Sequence, residues 1–383
     1  TVFVITLLVA HRYDPVSPML AARVFNKWPP ISTGLILFVV FFCLGLAFLG
    51  QIPAFRSIAF FGAVVVNVSH KGLIAACVFS FVLWNRNKTN LIWLGLFIFV
   101  LLSTCLLAVL ASSGRRLVLS VFLAPVIAFY YYQARQWRPI KCFSIIAVAL
   151  VGVFCLSLFY SMIRHFDRRG EMAERGSRTA SGALKAVQNI HGLVWLEHFT
   201  NDMLWGLSQH AVHYGMLTDR FITMGELQVQ PLNTFKFMAV YPIPRRIWRD
   251  KPVSLGRVIT TRVLKRSTSW GTGVAGHSAY EGGPIVAAMF GYLAAFGIRF
   301  FDDPLRRQPT NPFLIAMLSA AAMHVIAWPR GDLSVMTFEV AECIFFTMAL
   351  SWFCRFLFGT DKTWVMNRMA IPSGRVVYQA PTR

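Results

Sequence analysis

Long apolar runs separated by short basic or glycine- and proline-bearing stretches set the pattern of the chain. A helix that crosses a membrane needs about 20 mostly apolar residues. Runs of that kind fall at 32–50, 91–111, 116–132, 142–161, 284–300, 312–328 and 334–358. Residues 1–10 read as the end of another such helix. The chain opens on Thr1 directly inside that run, which predicts that further sequence precedes it. Residues 58–84 are apolar too, but His70 and Lys71 interrupt them, so they form either one long tilted helix or two short pieces. The pattern predicts an all-α polytopic membrane protein with about nine or more transmembrane helices and a large non-cytoplasmic loop between helices. The divisions are N-terminal transmembrane helices at 1–161, a large periplasmic loop at 162–283, C-terminal transmembrane helices at 284–358 and a cytoplasmic tail at 359–383.

Composition agrees with that pattern. Of the 383 residues, 56% are hydrophobic and 14% charged. A soluble domain carries about a quarter charged residues, so a soluble enzyme and a disordered chain are both excluded. Seven cysteines fall in or beside apolar runs without C-x-x-C spacing, which makes them small packing residues. The net charge of +21 points to anionic partners such as lipid headgroups or phosphates.

Charge in the short loops sets the orientation, because cytoplasmic loops are rich in Lys and Arg. Arg86 and Lys88, then Arg135, Arg138 and Lys141, then Arg306 and Arg307, then the basic tail all fall on one side when the helices are counted. The basic segment 11–31 joins that side only if 58–84 crosses once, so a single tilted helix is preferred there. The long segment 162–283 then lies outside the cytoplasm. Within it, 165–182 is polar and flexible in composition. Leu184, Val187, Ile190 and Val194 give 183–215 an amphipathic helical pattern, and Pro231, Pro242, Pro244 and Pro252 break the remainder into loops.

Three cationic clusters share this non-cytoplasmic side. They are Arg115 and Arg116 in SSGRR, Arg245, Arg246, Arg249 and Lys251 in YPIPRRIWRDKP, and Arg330 in WPRGD. Each alone could simply anchor a helix at the lipid headgroups. Together they form planar guanidinium forks that match phosphate oxygens. Such a set suits a lipid-linked pyrophosphate, holding it and stabilising the charge that builds on it as a leaving group.

IPRRIWRDKP resembles the I-P-R-x-x-W-x-x-K-P stretch of bacterial oligosaccharide repeat-unit polymerases, the O-antigen polymerase family. SSGRR resembles that family's Gly-Arg segment, HSAYEGGPIVAAMFGYLAAFG its acidic-aromatic-glycine stretch, and RGD at 330–332 its late Arg-Gly-Asp turn. Gly282, Gly283 and Pro284 depart from the family pattern, which has a single glycine there. The resemblance covers roughly residues 90–350. It implies a GT-C glycosyltransferase, related to O-antigen ligases, in a bacterial inner membrane with its active site facing the periplasm. It would polymerise undecaprenyl-pyrophosphate-linked repeat units into an O-antigen or exopolysaccharide. Membrane lipid and a chain-length regulator are the implied partners, without nucleic acid.

On this reading Arg115, Arg245 and Arg330 hold the pyrophosphate, Arg116, Arg246 and Lys251 support them, and Trp248 stacks on a sugar or anchors the interface. The acceptor hydroxyl needs a base. His277 and Glu281 lie four residues apart and can share a helical face; Asp332 is the third candidate, or else pairs with Arg330. No D-x-D occurs in the outer segment, and no Walker or Rossmann loop occurs anywhere, so a metal-independent reaction without cofactor is expected. His191, His198, His210 and His213 read as surface histidines rather than ligands. A ligase passing glycan to a lipid acceptor and a transporter of an anionic lipid remain the alternatives. Within the membrane, Lys71 should approach Glu339 or Glu342, since charges at that depth pair.

Overall fold

A computed structural model describes residues 1–25, 27–50, 52, 59–110, 115–148, 151–152, 155, 210–241, 243, 247–263, 271–328 and 331–360, with only the backbone given for 59–67, 109–110, 115–117, 210–214 and 262–263. Every regular element among these residues is helical. The helices are α1 (Val2–Tyr13), α2 (Val16–Val24), α3 (Thr33–Leu49), α4 (Ala59–Arg86), α5 (Leu91–Leu110), α6 (Arg115–Tyr132) and α7 (Pro139–Val148). After them come α8 (His210–Thr223), α9 (Asn233–Val240), α10 (Gly273–Glu281), α11 (Pro284–Arg307), α12 (Pro312–Ile326) and α13 (Leu333–Phe358). Four stretches are long and apolar enough to cross a membrane: Val68–Arg86 within α4, Leu91–Ala108 within α5, and all of α11 and α13. Val2–Tyr13, Thr33–Leu49, Val118–Tyr132, Pro139–Val148 and Pro312–Ile326 are shorter apolar helices. The protein is thus an all-α membrane protein. Half of the span expected at 142–161, and all but 210–215 of the amphipathic helix at 183–215, lie outside the described residues.

Local chemistry sets the helix ends. The Ser32 hydroxyl accepts from the Leu35 N–H at 3.2 Å, and Asn311 Oδ1 accepts from the Phe313 N–H at 3.0 Å. Each satisfies a donor that the first turn leaves without an intrahelical partner. Pro284 and Pro312 begin α11 and α12, where the missing N–H costs nothing. Gly282 and Gly283, with φ of 142° and 71°, turn the chain from α10 into α11 through a conformation open to glycine.

One core joins α3, α4, α5, α6, α12 and α13, with the end of α11. Among its largest covered rings and branched chains are Phe25, Phe79, Phe313, Leu35, Ile36 and Leu73. α4 is a single helix of 28 residues, so the charge-parity preference for one crossing matches its continuity. At 1.5 Å per residue it is about 42 Å long, longer than a bilayer's apolar core, which a tilt accommodates.

Cross-links define the two ends of the bundle. At the first, Arg86 donates to the Ile31 carbonyl at 2.7 Å, Gln133 to Asn85 at 2.6 Å, Tyr132 to the Thr310 carbonyl and Arg355 to the Lys27 carbonyl at 3.4 Å. The start of α3, the ends of α4, α6 and α13 and the start of α12 therefore gather there. α6 and α12 pack together, and the end of one meets the start of the other. The start of α6, at Arg115, consequently shares the opposite end with the Ile326 end of α12 and the Asp332 end of α13. The helix at 284–300 runs on to Arg307 because Arg299 and Asp302 find partners: Arg299 donates to the Asp14 carbonyl, and Asp302 lies 3.8 Å from His11.

Candidate functional site

A buried polar cluster sits at the Asp332 end. Its centre is the His277 imidazole, which is wholly covered. α10 carries His277 and Glu281 four residues apart, and the pair does share a face, with Nδ1 3.3 Å from Oε1. Thr234, at the start of α9, completes that side. Its hydroxyl lies 3.0 Å from Nδ1 and donates to Glu281 Oε1, and its backbone N–H donates to the same oxygen at 3.0 Å. On the other side, Nε2 lies 3.4 Å from Asp332 Oδ1 and 3.2 Å from the Leu333 N–H. Asp332 also accepts from the Ser334 hydroxyl and, at 3.2 Å, from the Gly256 N–H. Gly256 belongs to a short helical turn, Leu255–Val258.

The His277–Asp332 pair thus joins α9, α10, the first residues of α13 and the 255–258 turn. The Gly273 N–H adds a bond of 2.9 Å to the Gly331 carbonyl, and the Gln230 N–H one of 3.0 Å to the Tyr280 carbonyl. Beneath lie two small apolar clusters. Leu227, Leu255, Val258, Ile259 and Tyr280 form one; Val274, Phe290 and Leu333 form the other.

Electrostatics make this cluster a charged pair. Burial alone drives an imidazole toward neutrality. Here hydrogen bonds to Asp332 and Glu281, and the negative charge of both, overcome it and raise His277 to about 9. Burial would raise the Asp332 carboxyl; the His277 partner outweighs it, with Ser334 and Ser254, and holds the carboxyl well below the usual carboxylate range. Its position before the first residue of α13 adds the favourable helix dipole. The Leu333 N–H and Asp332 compete for Nε2. A neutral ring accepts from the former, whereas an imidazolium donates to the latter, and two flanking carboxylates favour the imidazolium.

Asp332 therefore pairs with a histidine 55 positions earlier in the chain. Arg330, its other expected partner, lies outside the described residues, as do Arg245 and Arg246. The side chains of Arg115 and Arg116 lie outside them as well, although their backbone opens α6. Of the three candidate bases, His277 has both nitrogens engaged and Asp332 has both oxygens engaged. Glu281 Oε2 is buried and has no hydrogen-bond partner among the described residues.

Beyond α9, the described residues 241, 243 and 247–252 make a second set of contacts. Lys251 donates to the Tyr241 carbonyl at 2.6 Å and the Ile243 carbonyl at 2.9 Å, so it closes the loop on itself. Its ammonium also lies over the Tyr241 ring, 5.2 Å from the centroid. Tyr241 packs on Phe338 of α13, with centroids 4.4 Å apart. Burial first, then the charges of Glu339 and Glu342, push its phenol up to about 12. Trp248 is 40% exposed and Arg249 is exposed, so both remain on the surface of the loop.

No family model, curated protein or solved structure matches this chain.

Proposed function

We propose that the protein is a membrane glycosyltransferase that polymerises undecaprenyl-pyrophosphate-linked oligosaccharide repeat units into a surface polysaccharide. The observation that carries this reading is the convergence of distant segments at one end of the bundle. The 273–281 helix meets the 331–332 turn through the Gly273–Gly331 bond and the His277–Asp332 pair. Tyr241, two residues before IPRRIWRDKP, packs on Phe338 in the second turn of α13. The backbone of Arg115 opens α6 at that end. These segments carry the cations of the pyrophosphate clamp.

The opposite end carries Arg86, Lys88, Arg135, Arg138, Lys141, Arg306, Arg307 and Arg355, which makes it the cytoplasmic one under the positive-inside rule. The site then faces the periplasm of a bacterial inner membrane. In the reaction an acceptor hydroxyl attacks the anomeric carbon, the bond to pyrophosphate breaks, and the hydroxyl proton passes to a base. Arg115, Arg245 and Arg330 neutralise the departing pyrophosphate. Glu281 is our choice of base because its Oε2 has no hydrogen-bond partner among the described residues. The His277–Asp332 pair positions the two segments that flank it. The transporter alternative draws on one observation, a group of charges at bundle depth.

The test is to incubate purified protein with lipid-linked repeat units. A ladder of products that grows by whole repeats is expected. A single transfer to a lipid acceptor would instead identify a ligase, and no transfer at all would favour the transporter.

A further inference from the structure

The two oxygens of the Glu281 carboxylate are held unequally. Oε1 is surrounded by donors. The Thr234 N–H reaches it at 3.0 Å, and the Thr234 hydroxyl donates to it as well. His277 Nδ1 stands 3.3 Å from the same oxygen and 3.0 Å from the Thr234 hydroxyl. Oε2 is buried and has no hydrogen-bond partner among the described residues. Glu281 and Thr234 are each 2% exposed, so both are shut off from bulk solvent.

The backbone bends to make these contacts. Leu232, immediately before α9, takes φ 59° and ψ 24°, the left-handed region, and is the only non-glycine residue among those described with a positive φ. That conformation is strained for an L-residue with a side chain. The bend sets Thr234 in the first turn of α9, where N–H groups have no intrahelical partner. A helix cap accounts for the bond from the Thr234 N–H to Glu281. It does not account for a hydroxyl aimed at the same oxygen while the other is left bare, since a buried polar atom without a partner is costly. Strain and orphaned buried groups persist where a working site requires them.

We propose that Thr234 is a positioning residue for Glu281, holding Oε1 so that Oε2 is the oxygen that takes the proton of the attacking hydroxyl. The inference rests on the glycosyltransferase reading above and adds the residue that orients its base. In the step, the acceptor O–H bond breaks as its oxygen bonds to the anomeric carbon. The pyrophosphate leaves with the electron pair of the broken C–O bond, and the proton ends on Oε2. Oε1 is unsuited to receive it, because the Thr234 N–H and O–H already point at its lone pairs. Thr234 touches no reacting atom and acts through Glu281.

Steady-state transfer by the purified protein in lipid nanodiscs, with lipid-linked repeat units as substrate, tests this. Thr234→Val keeps the size of the side chain and the backbone N–H but removes the hydroxyl. It should lower kcat about 10- to 100-fold, the scale on which a misplaced catalytic group slows a reaction, with KM unchanged. Thr234→Ser keeps the hydroxyl and should recover most of that loss. In a Glu281→Gln background, Thr234→Val should cause no further loss, because the group it acts through is gone. Thr234→Cys, close in size with a weaker donor, replaces the valine variant if that one does not fold. A wild type that transfers no glycan would overturn the glycosyltransferase reading itself, and this inference with it. With an active wild type, four results would overturn the role of Thr234 alone: an unchanged kcat in Thr234→Val, no rescue by serine, full activity in Glu281→Gln, or an equal further loss in that background.

Discussion

Asp332→Ala is expected to destabilise the protein by about 3–5 kcal/mol, the cost of removing one member of a buried charged pair and leaving the other. The His277 imidazolium would lose its closest carboxylate on the Nε2 side. The Gly256 N–H and the Ser334 hydroxyl would lose their acceptor. Because that carboxylate links the 255–258 turn, α10 and α13, the damage should reach all three. Thermal unfolding followed by tryptophan fluorescence would measure it.

The pH profile adds a signature that a simple packing defect lacks. Asp332 is held below its ordinary 3.8, so its contribution is complete above that value and lost as the pH falls through the depressed one. His277 is raised from 6.5 to about 9, so its contribution is complete below 6.5 and drains as the pH rises toward 9. The wild type should hold a plateau between those two ordinary values and decline on the alkaline side. Asp332→Ala should start lower and decline less steeply there. Equal unfolding temperatures for wild type and variant across this range would contradict the charged-pair description.

Replacing Arg115, Arg245 or Arg330 with Lys should remove long-chain polysaccharide while the protein stays in the membrane at its normal level. Lys keeps the positive charge but loses the planar fork that engages two phosphate oxygens at once. Loss of one preorganised donor to a leaving group lowers a rate by about 10²–10³-fold, enough to eliminate a product that needs many sequential transfers. Chain length and amount on a gel, beside an immunoblot of the membrane fraction, give the answer. Normal polymer in all three variants would remove the clamp from the mechanism.

Much of the architecture is legible in the order of apolar and basic positions. Parity of the basic loops favours a single helix through His70 and Lys71, and α4 is continuous there. The cost of charge in a bilayer is enough to pair Lys71 with the glutamates of the last helix. Spacing of four puts His277 beside Glu281. These are local periodicities or strong energetic demands, which a sequence displays directly.

The rest depends on tertiary placement. Asp332 has a plausible partner two residues away in Arg330, and nothing local points to His277. Thr234, Ser334 and the Gly256 N–H carry no motif; they matter because folding delivers them to the His277–Asp332 pair. The extent of α11 is also hidden. Arg299, Asp302 and Asp303 look like a helix end until α1 and α2 lie alongside and supply the Asp14 carbonyl and His11.

The central claim is that the Asp332 end of the bundle binds a lipid-linked pyrophosphate. It is tested most directly with a polyprenyl pyrophosphate carrying a photoreactive group beside the phosphates, crosslinked to the purified protein and mapped by mass spectrometry. The account predicts labels within 113–116, 243–252 and 329–333, all suppressed by excess unlabelled lipid pyrophosphate. Labels confined to the basic loops at 85–90 and 133–141, or labelling that the competitor leaves unchanged, would contradict it.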